Sequence, residues 1–333
     1  MNTSPLRVAL IGASGFAEEC LLPQLAGIGM DLRAVLSGDP ARAQTLAETF
    51  HASGSSPCPS TLAELLADDA LEAVLIANHD AKHSDTAIAA ARAGKHVFVE
   101  KPLATAAIDA RAVAQACHEN NVRCQVGYHN RYAPGHMIVR AALAAGEIGT
   151  PRHLYLQWFT TDPKPMGWRT SPELGRWWVL AALGSHVVDL AEWLLSPTCG
   201  PIETVRALTA DGVHHQHADE SAAFVLRFTN GALATLDVSS VDAPTKRILI
   251  TGATGEIVCR DTLGAHGAGT VHVNGAARSF DVQNPYAAEL RAFVQAVRTG
   301  QDATPSAEDG VRNVSWLERL SQDDARDHPL RHR

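Results

Sequence analysis

The sequence predicts an α/β protein with two domains, the first of which is built on a parallel β-sheet. Short apolar runs alternate with helical patterns over roughly the first 125 residues, which is typical of βαβ units. In the second half, apolar runs follow one another at hairpin spacing, so an antiparallel or mixed sheet is expected there. A chain of 333 residues is long enough to bury a large core in each of two domains.

The first half is expected to contain five strands that are apolar on both faces, as buried parallel strands are. These strands are predicted at residues 6–11, 32–36, 73–77, 96–99 and 123–126. Helices are predicted between them at 18–28, 41–50, 61–67, 83–93 and 106–120.

The second half is predicted to alternate less regularly. Strands are expected at 153–160, 221–228, 232–239 and 246–250, and helices at 135–145, 184–195, 286–299 and 308–320. Asn230-Gly231 predicts a tight hairpin between two of the strands. The tail after Ser321 is expected to be a surface strand or a frayed end. The predicted domains are 1–126 and 127–333, with the last helices as candidates to pack back on the first domain.

Composition argues against several classes of protein. The net charge of −8 disfavours a nucleic-acid partner, because phosphate binding depends on Lys and Arg. The six cysteines are scattered without CxxC spacing, so neither a disulfide framework nor a zinc site is expected. No signal peptide and no apolar stretch of membrane-spanning length is visible. A cytoplasmic protein without a membrane partner is expected.

The end of the first predicted strand resembles a phosphate-binding turn. The dinucleotide fingerprint G-x-G-x-x-G/A is matched by Gly12 and Ala17, with Ser14 at the second position and Gly15 and Phe16 between. Such a turn brings backbone N–H groups and a helix N-terminus to a pyrophosphate. A Rossmann dinucleotide-binding domain is therefore predicted. The alternative is a plain β–α turn that binds no nucleotide.

The end of the second strand favours NADP, with NAD as the alternative. An acid there would bind the ribose 2′-hydroxyl of NAD, and this chain has Ser37 followed by Gly38. Arg42, one helical turn on, is placed to pair with a 2′-phosphate. Asp39 is a rival ribose ligand, but it more naturally caps the following helix.

Longer motifs resemble the Gfo/Idh/MocA family. Residues 93–103, AGKHVFVEKPL, resemble the family signature, and 125–132 resemble the entry to its second domain. Residues 249–257, 286–293 and 308–310 resemble its central sheet and closing helices. The resemblance implies a Rossmann domain plus an α/β domain with an open, mostly antiparallel sheet. It also implies a homodimer or homotetramer formed through that sheet.

Two residues are the candidates for proton transfer. Lys101 follows the fourth strand, at the sheet edge where ligands bind in open α/β folds, and by resemblance Glu100-Lys101-Pro102 is the active-site motif. Pro102 is expected to follow a cis peptide bond. His186 lies in a segment resembling the family's G-x-H-x-x-D, where an imidazole serves as general acid or base and Asp189 is placed to hold it.

The chain departs from the family next to this histidine. Four residues before it, where the family carries an Asp that shares the proton transfer, stands Ala182. The usual Gly-Gly is replaced by Trp177-Trp178, which are expected to fill space left for substrate or to form an apolar wall. These departures indicate a remodelled pocket.

Further residues are candidates on weaker grounds. For the cofactor they are Ala77, Asn78, His79 and His83; for the substrate they are Tyr128, Arg131, Trp168, Arg169, Trp177, Trp178 and Asp189. No metal site is expected, although His214, His215 and His217 lie together in a polar loop.

Three functions remain open from the sequence. The first is an NADP-dependent oxidoreductase acting on a sugar, polyol or related carbonyl or hydroxyl compound. The second is a protein that senses NADP or a metabolite without turnover, and the third is a glycosidase that retains its cofactor. Net consumption of NADPH separates the first from the other two.

Overall fold

The chain forms two compact units, one of Met1–Tyr128 with Tyr286–Val314 and one of His129–Pro285 with Ser315–Arg333. This computed structural model describes residues 4–161, 168, 171, 176–214 and 219–326, with residues 323–326 described by their backbone alone.

The first unit contains a five-stranded parallel sheet. Its strands are β1 (Leu6–Ile11), β2 (Met30–Leu36), β3 (Ala73–Ile76), β4 (His96–Glu100) and β5 (Cys124–Gly127). They are ordered β2-β1-β3-β4-β5, and every pair is parallel. All residues of β3 and β5 are buried, and β3 is apolar throughout, as a strand covered on both faces is expected to be. The predicted Rossmann sheet is confirmed.

The second unit contains an eight-stranded sheet. Its strands are β6 (Pro151–Thr161), β7 (Ile202–Ala210), β8 (Ser221–Phe228), β9 (Leu233–Ser239), β10 (Val241–Gly252), β11 (Glu256–Arg260), β12 (Thr270–Val273) and β13 (Ala276–Arg278). They are ordered β13-β12-β11-β10-β6-β9-β8-β7. Only the β6–β9 pair is parallel, so the mostly antiparallel sheet is confirmed.

Eight α-helices accompany these sheets in the described residues. They are α1 (Pro40–Thr49), α2 (Leu62–Leu66), α3 (His83–Arg92), α4 (Ala107–Glu119), α5 (Pro134–Ala144), α6 (Ser185–Cys199), α7 (Pro285–Thr299) and α8 (Ala307–Arg326). In the first unit, Phe293 of α7 packs edge-on against Phe98 of β4, with ring centroids 5.9 Å apart.

Two predicted elements are wrong in type. The helix expected at 18–28 is a π-helical turn, Ala17–Leu21, followed by a 3₁₀ helix, Leu22–Ile28. Pro23 stands at the junction; it has no N–H to donate and cannot continue an α-helix. The tail after Ser321 is helical to Arg326 rather than a strand or a frayed end. Its polar residues carry no apolar periodicity that would have predicted a helix.

The hairpin predicted at Asn230-Gly231 is confirmed. Phe228 donates its N–H to the Ala232 carbonyl over 2.9 Å, which closes the turn between β8 and β9. Gly231 has a φ of +90°, and the Asn230 side chain accepts the N–H of Ala232.

One face of the second sheet carries the residues that matter for the site. Leu154, Leu156 and Trp158 of β6 pair in register with Ile250, Ile248 and Lys246 of β10. Because side chains alternate along a strand, these six share one face. Five of the six are buried, and Lys246 at the end of the row is half-buried.

Candidate active site

The turn after β1 requires glycine at its first position. Gly12 has a φ of +107°, and a Cβ there would lie 2.5 Å from the backbone of Ala77 and Asn78. Ser14 accepts the N–H of Ala17 over 3.2 Å and so caps the first helical turn. A Cβ on Gly15 would meet no described atom within 4 Å, so the turn is open on that side. The turn can therefore present its backbone to a pyrophosphate, and the residues present fit a dinucleotide.

Phe16 in this turn packs against another part of the first unit. Its ring meets Tyr286 of α7 edge-on, with ring centroids 5.5 Å apart. Burial raises the pKa of Tyr286 well above its ordinary value, so its hydroxyl is neutral. The contact fixes the turn against α7.

The residues after β2 form a short hydrogen-bonded series. Ser37 Oγ accepts the N–H of Asp39 over 3.1 Å, and Asp39 accepts the N–H of Arg42 over 3.1 Å. Asp39 is therefore the N-cap of α1, as its position in the sequence favoured. The Arg42 guanidinium forms an ion pair with Glu18 of the turn after β1. A 2′-phosphate bound by Arg42 would compete with that carboxylate.

His83 joins the loops that follow β3 and β4. Its Nδ1 lies 2.7 Å from the Pro102 carbonyl and its Nε2 lies 3.1 Å from the Asn78 carbonyl. A neutral imidazole has one N–H and can donate to only one of them at a time. Asn78 also donates to Thr86 over 3.1 Å, and the backbone N–H of Ala77 donates to Ile11 over 2.8 Å. His79 begins the 3₁₀ turn Asp80–Lys82. These residues give the loop after β3 its shape.

Glu100 and Lys101 lie at the carboxyl end of β4. Burial raises the pKa of Glu100 from 4.5 to about 7, against the opposing effect of Lys101 and its backbone N–H. The Glu100 carboxyl packs on Gly127, where a Cβ would lie 2.7 Å from Oε1. Oε1 has no hydrogen-bond partner within the described part of the chain. Lys101 is half-buried, and the Lys101–Pro102 bond is cis.

Two other residues of the 93–103 signature have structural contacts. Lys95 is buried and donates to the carbonyls of Asp68 and Leu71, over 2.8 and 3.1 Å. His96 accepts the backbone N–H of Arg123 over 2.9 Å. They hold the start of β4 in place.

His186 begins α6 in the second unit, and only 5% of its surface is exposed. Its ring meets His129 edge-on at 4.7 Å between centroids. On another side it lies 5.7 Å from the ring of Trp158, with the two planes 31° apart. The structure thus places His186 between the rings of His129 and Trp158, within the second unit.

Arg131 and Asp189 form a buried, two-pronged ion pair. Nε donates to Oδ2 over 2.9 Å and Nη2 donates to Oδ1 over 2.6 Å. Both side chains are more than nine-tenths buried. Both oxygens of Asp189 are hydrogen-bonded by Arg131, which fixes the 3₁₀ turn His129–Tyr132 to α6; the expected role of Asp189 in holding His186 stays a prediction.

Trp177 and Trp178 are buried, at 4% and 2% exposure. The N–H groups of Trp178 and Leu180 donate to the two carboxylate oxygens of Asp219, over 2.8 and 2.6 Å. Burial raises the pKa of Asp219 to about 6. Ala182 lies in the π-helical turn Leu180–Gly184 that follows. No local pattern indicates that Asp219 holds this segment, because Asp219 lies in a polar loop about 40 residues further along the chain.

The remaining candidates are placed as follows. Tyr128 is fully buried, and Trp168 is half-buried in a turn. His214 lies beside Trp178 at 6.1 Å between rings, and Glu220 accepts the N–H groups of Val213 and His214. Arg169, His215 and His217 lie outside the described residues.

The described residues contain neither a cluster that could hold a metal ion nor a helix that could span a membrane. No group of three or more His, Cys, Asp or Glu side chains is arranged to hold a metal ion. None of the helices has the length and apolar character needed to cross a bilayer.

Two family models match this chain. Residues 6–128 match the oxidoreductase family with an NAD-binding Rossmann fold, GFO_IDH_MocA, and residues 136–258 match the GFO/IDH/MocA C-terminal domain. Together they cover most of both units.

Individual proteins agree with that match. The chain is 28% identical to 1,5-anhydro-D-fructose reductase of Ensifer adhaerens, over 93% of each chain. It is 30% identical to 4-carboxy-2-hydroxymuconate-6-semialdehyde dehydrogenase of a Sphingobium species, over 70% of this chain and 72% of that one. KijD10, a 3-ketoreductase from Actinomadura kijaniata solved with NADP and TDP-benzene, superposes with a TM-score of 0.83 at 25% identity, over 96% and 98% of the chains. The chain therefore belongs to the Gfo/Idh/MocA family of oxidoreductases.

Proposed function

We propose that this chain is an NADP-dependent oxidoreductase that transfers a hydride to or from a sugar, a polyol or a related carbonyl or hydroxyl compound. One observation carries the proposal: the turn at Gly12 and the Glu100-Lys101 pair follow β1 and β4 of the same parallel sheet. Ligands of open α/β sheets bind at this carboxyl edge. Relatives named as a reductase and a 3-ketoreductase support the reaction class.

Gly12, Ser14, Gly15, Phe16 and Ala17 would hold the pyrophosphate of the cofactor. The tight approach of Gly12 to the loop after β3 supports this role, since no larger residue fits. The cofactor, when bound, supplies the site that accepts or donates the hydride. Ala77, Asn78, His79 and His83 would border it from the loop after β3.

Ser37 and Arg42 support NADP over NAD. A neutral hydroxyl stands where an acid would select the 2′-hydroxyl of NAD, and Arg42 is the cation available for a 2′-phosphate. Glu18 forms an ion pair with Arg42. The Glu18 carboxylate therefore competes with a 2′-phosphate for Arg42, and this competition sets how strongly NADP is preferred over NAD.

Lys101 of the first unit and His186 of the second are the two candidates for the group that gives a proton to the substrate oxygen or takes one from it. Lys101 is half-buried beside Glu100, whose carboxyl accepts the Lys101 backbone N–H over 3.3 Å. The His186 imidazole is almost fully buried at the start of α6. Ala182 stands where the family carries an Asp that shares the proton transfer. His186 would therefore act as the general acid or base without the help of a carboxylate at that position.

Calorimetric titration with NADP and with NAD tests the cofactor assignment. Wild type should bind NADP more tightly, and Arg42→Ala should weaken NADP binding about 10- to 100-fold while leaving NAD binding unchanged. Glu18→Gln should strengthen NADP binding because it frees Arg42. Arg111→Ala, at an exposed arginine of α4, is the matched control and should change neither.

Two results would overturn the proposal. Tighter binding of NAD would reject the NADP assignment, and binding of neither dinucleotide would reject the oxidoreductase. Cofactor binding without net NADPH consumption on a broad panel of sugars and polyols would favour the non-catalytic sensor.

A further inference from the structure

The second unit holds a cluster of hydrogen-bond donors beside His186 that the proposed proton transfer does not use. Its members are Lys246 on β10, Trp158 on β6 and Asn130 in the 3₁₀ turn His129–Tyr132. They are called the donor cluster below.

Lys246 and Trp158 are brought together by strand register. They are direct partners in the β6–β10 pair, so their side chains leave the same face of the sheet. The Lys246 ammonium lies 5.9 Å from the centroid of the Trp158 ring. The same ring lies 5.7 Å from the ring of His186.

Gly264 shows how the three donors converge. A Cβ at this glycine would lie 3.1 Å from Lys246 Nζ and 3.7 Å from Trp158 Cζ2. Cζ2 is bonded to the ring carbon that carries Nε1, so the indole N–H lies along the ring edge near Gly264. The Gly264 N–H donates to Asn130 Oδ1 over 3.1 Å, which assigns the other amide atom as the NH₂ group.

Two of these donors have no acceptor among the described residues. Trp158 Nε1 and Asn130 Nδ2 are buried and have no hydrogen-bond partner within the ranges that the structure describes. The two side chains are only 6% and 1% exposed. Lys246 is half-buried, and over those same ranges no carboxylate forms an ion pair with it. Buried donors without acceptors are costly, so a ligand that supplies acceptor oxygens would be bound favourably.

The charge of the cluster indicates what kind of acceptor. The buried carboxylate of Asp189 on α6 forms its ion pair with Arg131. The cluster has one ammonium and two neutral N–H donors, so its single positive charge matches a group with one negative charge. A phosphate monoester carries nearly two negative charges at neutral pH and matches less well. We infer that the donor cluster binds the carboxylate of the substrate, and that the substrate is a sugar acid. This inference rests on the proposed function for its reaction but not for its binding site.

Matched pairs of substrates test the inference. The kcat and KM of NADP-linked oxidation are measured for D-glucuronate against D-glucose and D-galacturonate against D-galactose, with D-glucose 6-phosphate as the phosphate probe. Wild type should prefer both uronates. Lys246→Met should raise KM for the uronates about 10- to 100-fold without changing the values for the neutral sugars, and Lys246→Arg should restore part of the loss.

Arg247→Gln is the control, because Arg247 is the next residue of β10 and is exposed on the opposite face of the sheet. Calorimetric titration with D-glucuronate reads binding without turnover. Lysine-dependent binding of D-glucuronate without hydride transfer would keep the carboxylate site and reject the proposed reaction. Turnover of neutral sugars, with neither binding nor turnover of the uronates, would keep the proposed reaction and reject the carboxylate site.

Four outcomes overturn the inference. One is equal kcat/KM for uronates and neutral sugars in wild type, and another is an equal loss for both in Lys246→Met. The third is a preference for D-glucose 6-phosphate over the uronates. Failure of every acidic probe both to bind and to react would also reject it.

Discussion

Glu100 is a carboxyl that the first unit keeps almost out of solvent at the end of β4. Its raised pKa, about 7 against an ordinary 4.5, comes mainly from burial, and Asp80 adds to it. A group with this shift binds its proton more tightly in the folded than in the unfolded chain. The stabilisation is therefore fully present below pH 4.5 and is lost as the pH rises through about 7.

Glu100→Gln should remove this pH dependence. Wild type without cofactor should lose on the order of 3 kcal/mol of unfolding free energy from this group between pH 4.5 and 8, and the variant should not. Urea denaturation at intervals across that range measures the difference between the two curves. Glu256→Gln, at an exposed glutamate, is the control and should run parallel to wild type. Parallel curves for Glu100→Gln would show that the carboxyl is ionised at neutral pH.

The Arg131–Asp189 pair should be costly to break from one side. Arg131→Met leaves a buried carboxylate without its cation and should destabilise the protein by about 3–5 kcal/mol. Adding Asp189→Leu should recover much of the loss, because no buried charge then remains. Urea midpoints of the two single variants and the double variant measure the coupling. Arg227→Met, in an exposed pair with Glu203, should cost less than about 1 kcal/mol.

At the scale of elements, the sequence predicted all strands of the first sheet and four of the eight strands of the second. The strands of the first sheet and the hairpin at Asn230-Gly231 follow directly from apolar runs and turn chemistry. The π-helical turn after Gly12 was missed, since periodicity does not distinguish it from an α-helix. β7, β11, β12 and β13 were not predicted as strands; of these, β12 and β13 are only four and three residues long.

The turn after β1 requires a glycine at position 12. Gly12→Ala should lower the unfolding free energy of the cofactor-free protein by about 1–3 kcal/mol, because φ is positive and the Cβ would overlap the loop after β3. Gly27→Ala is the matched control: its Cβ would meet no described atom within 4 Å and its φ is not positive. It should be neutral or slightly stabilising. Equal effects of the two changes would mean that the turn adapts to a side chain.

At the scale of the whole molecule, the sequence offered single candidate residues for the site but not the residues that surround them. Lys101 and His186 were recognised because they lie in motifs, and their roles stay predictions. The contact of His186 with Trp158, and of Trp158 with Lys246, depends on the register of β6 against β10. Register between strands far apart in the chain is not encoded in a local pattern, so no motif could have predicted the donor cluster.

The second sheet has a face that is suited to assembly with another copy of the chain. The face of the second sheet opposite Trp158 carries a row of apolar or aromatic side chains, Tyr155, Leu249 and Val258, which are register neighbours on β6, β10 and β11. All three are half-buried rather than fully covered by the chain. Such a row in the middle of a wide sheet is typical of a surface that pairs with a second copy.

Leu249→Glu should therefore convert an oligomer into a monomer in sedimentation velocity. A carboxylate at the centre of a sheet-to-sheet interface would be buried without a cation, and its desolvation would exceed what the remaining contacts provide. Ile108→Glu is the control, because Ile108 is 66% exposed on α4 of the first unit and lies outside this row. A wild type that sediments as a monomer at micromolar concentration would reject assembly through this face. An oligomer that survives Leu249→Glu would place its interface elsewhere on the chain.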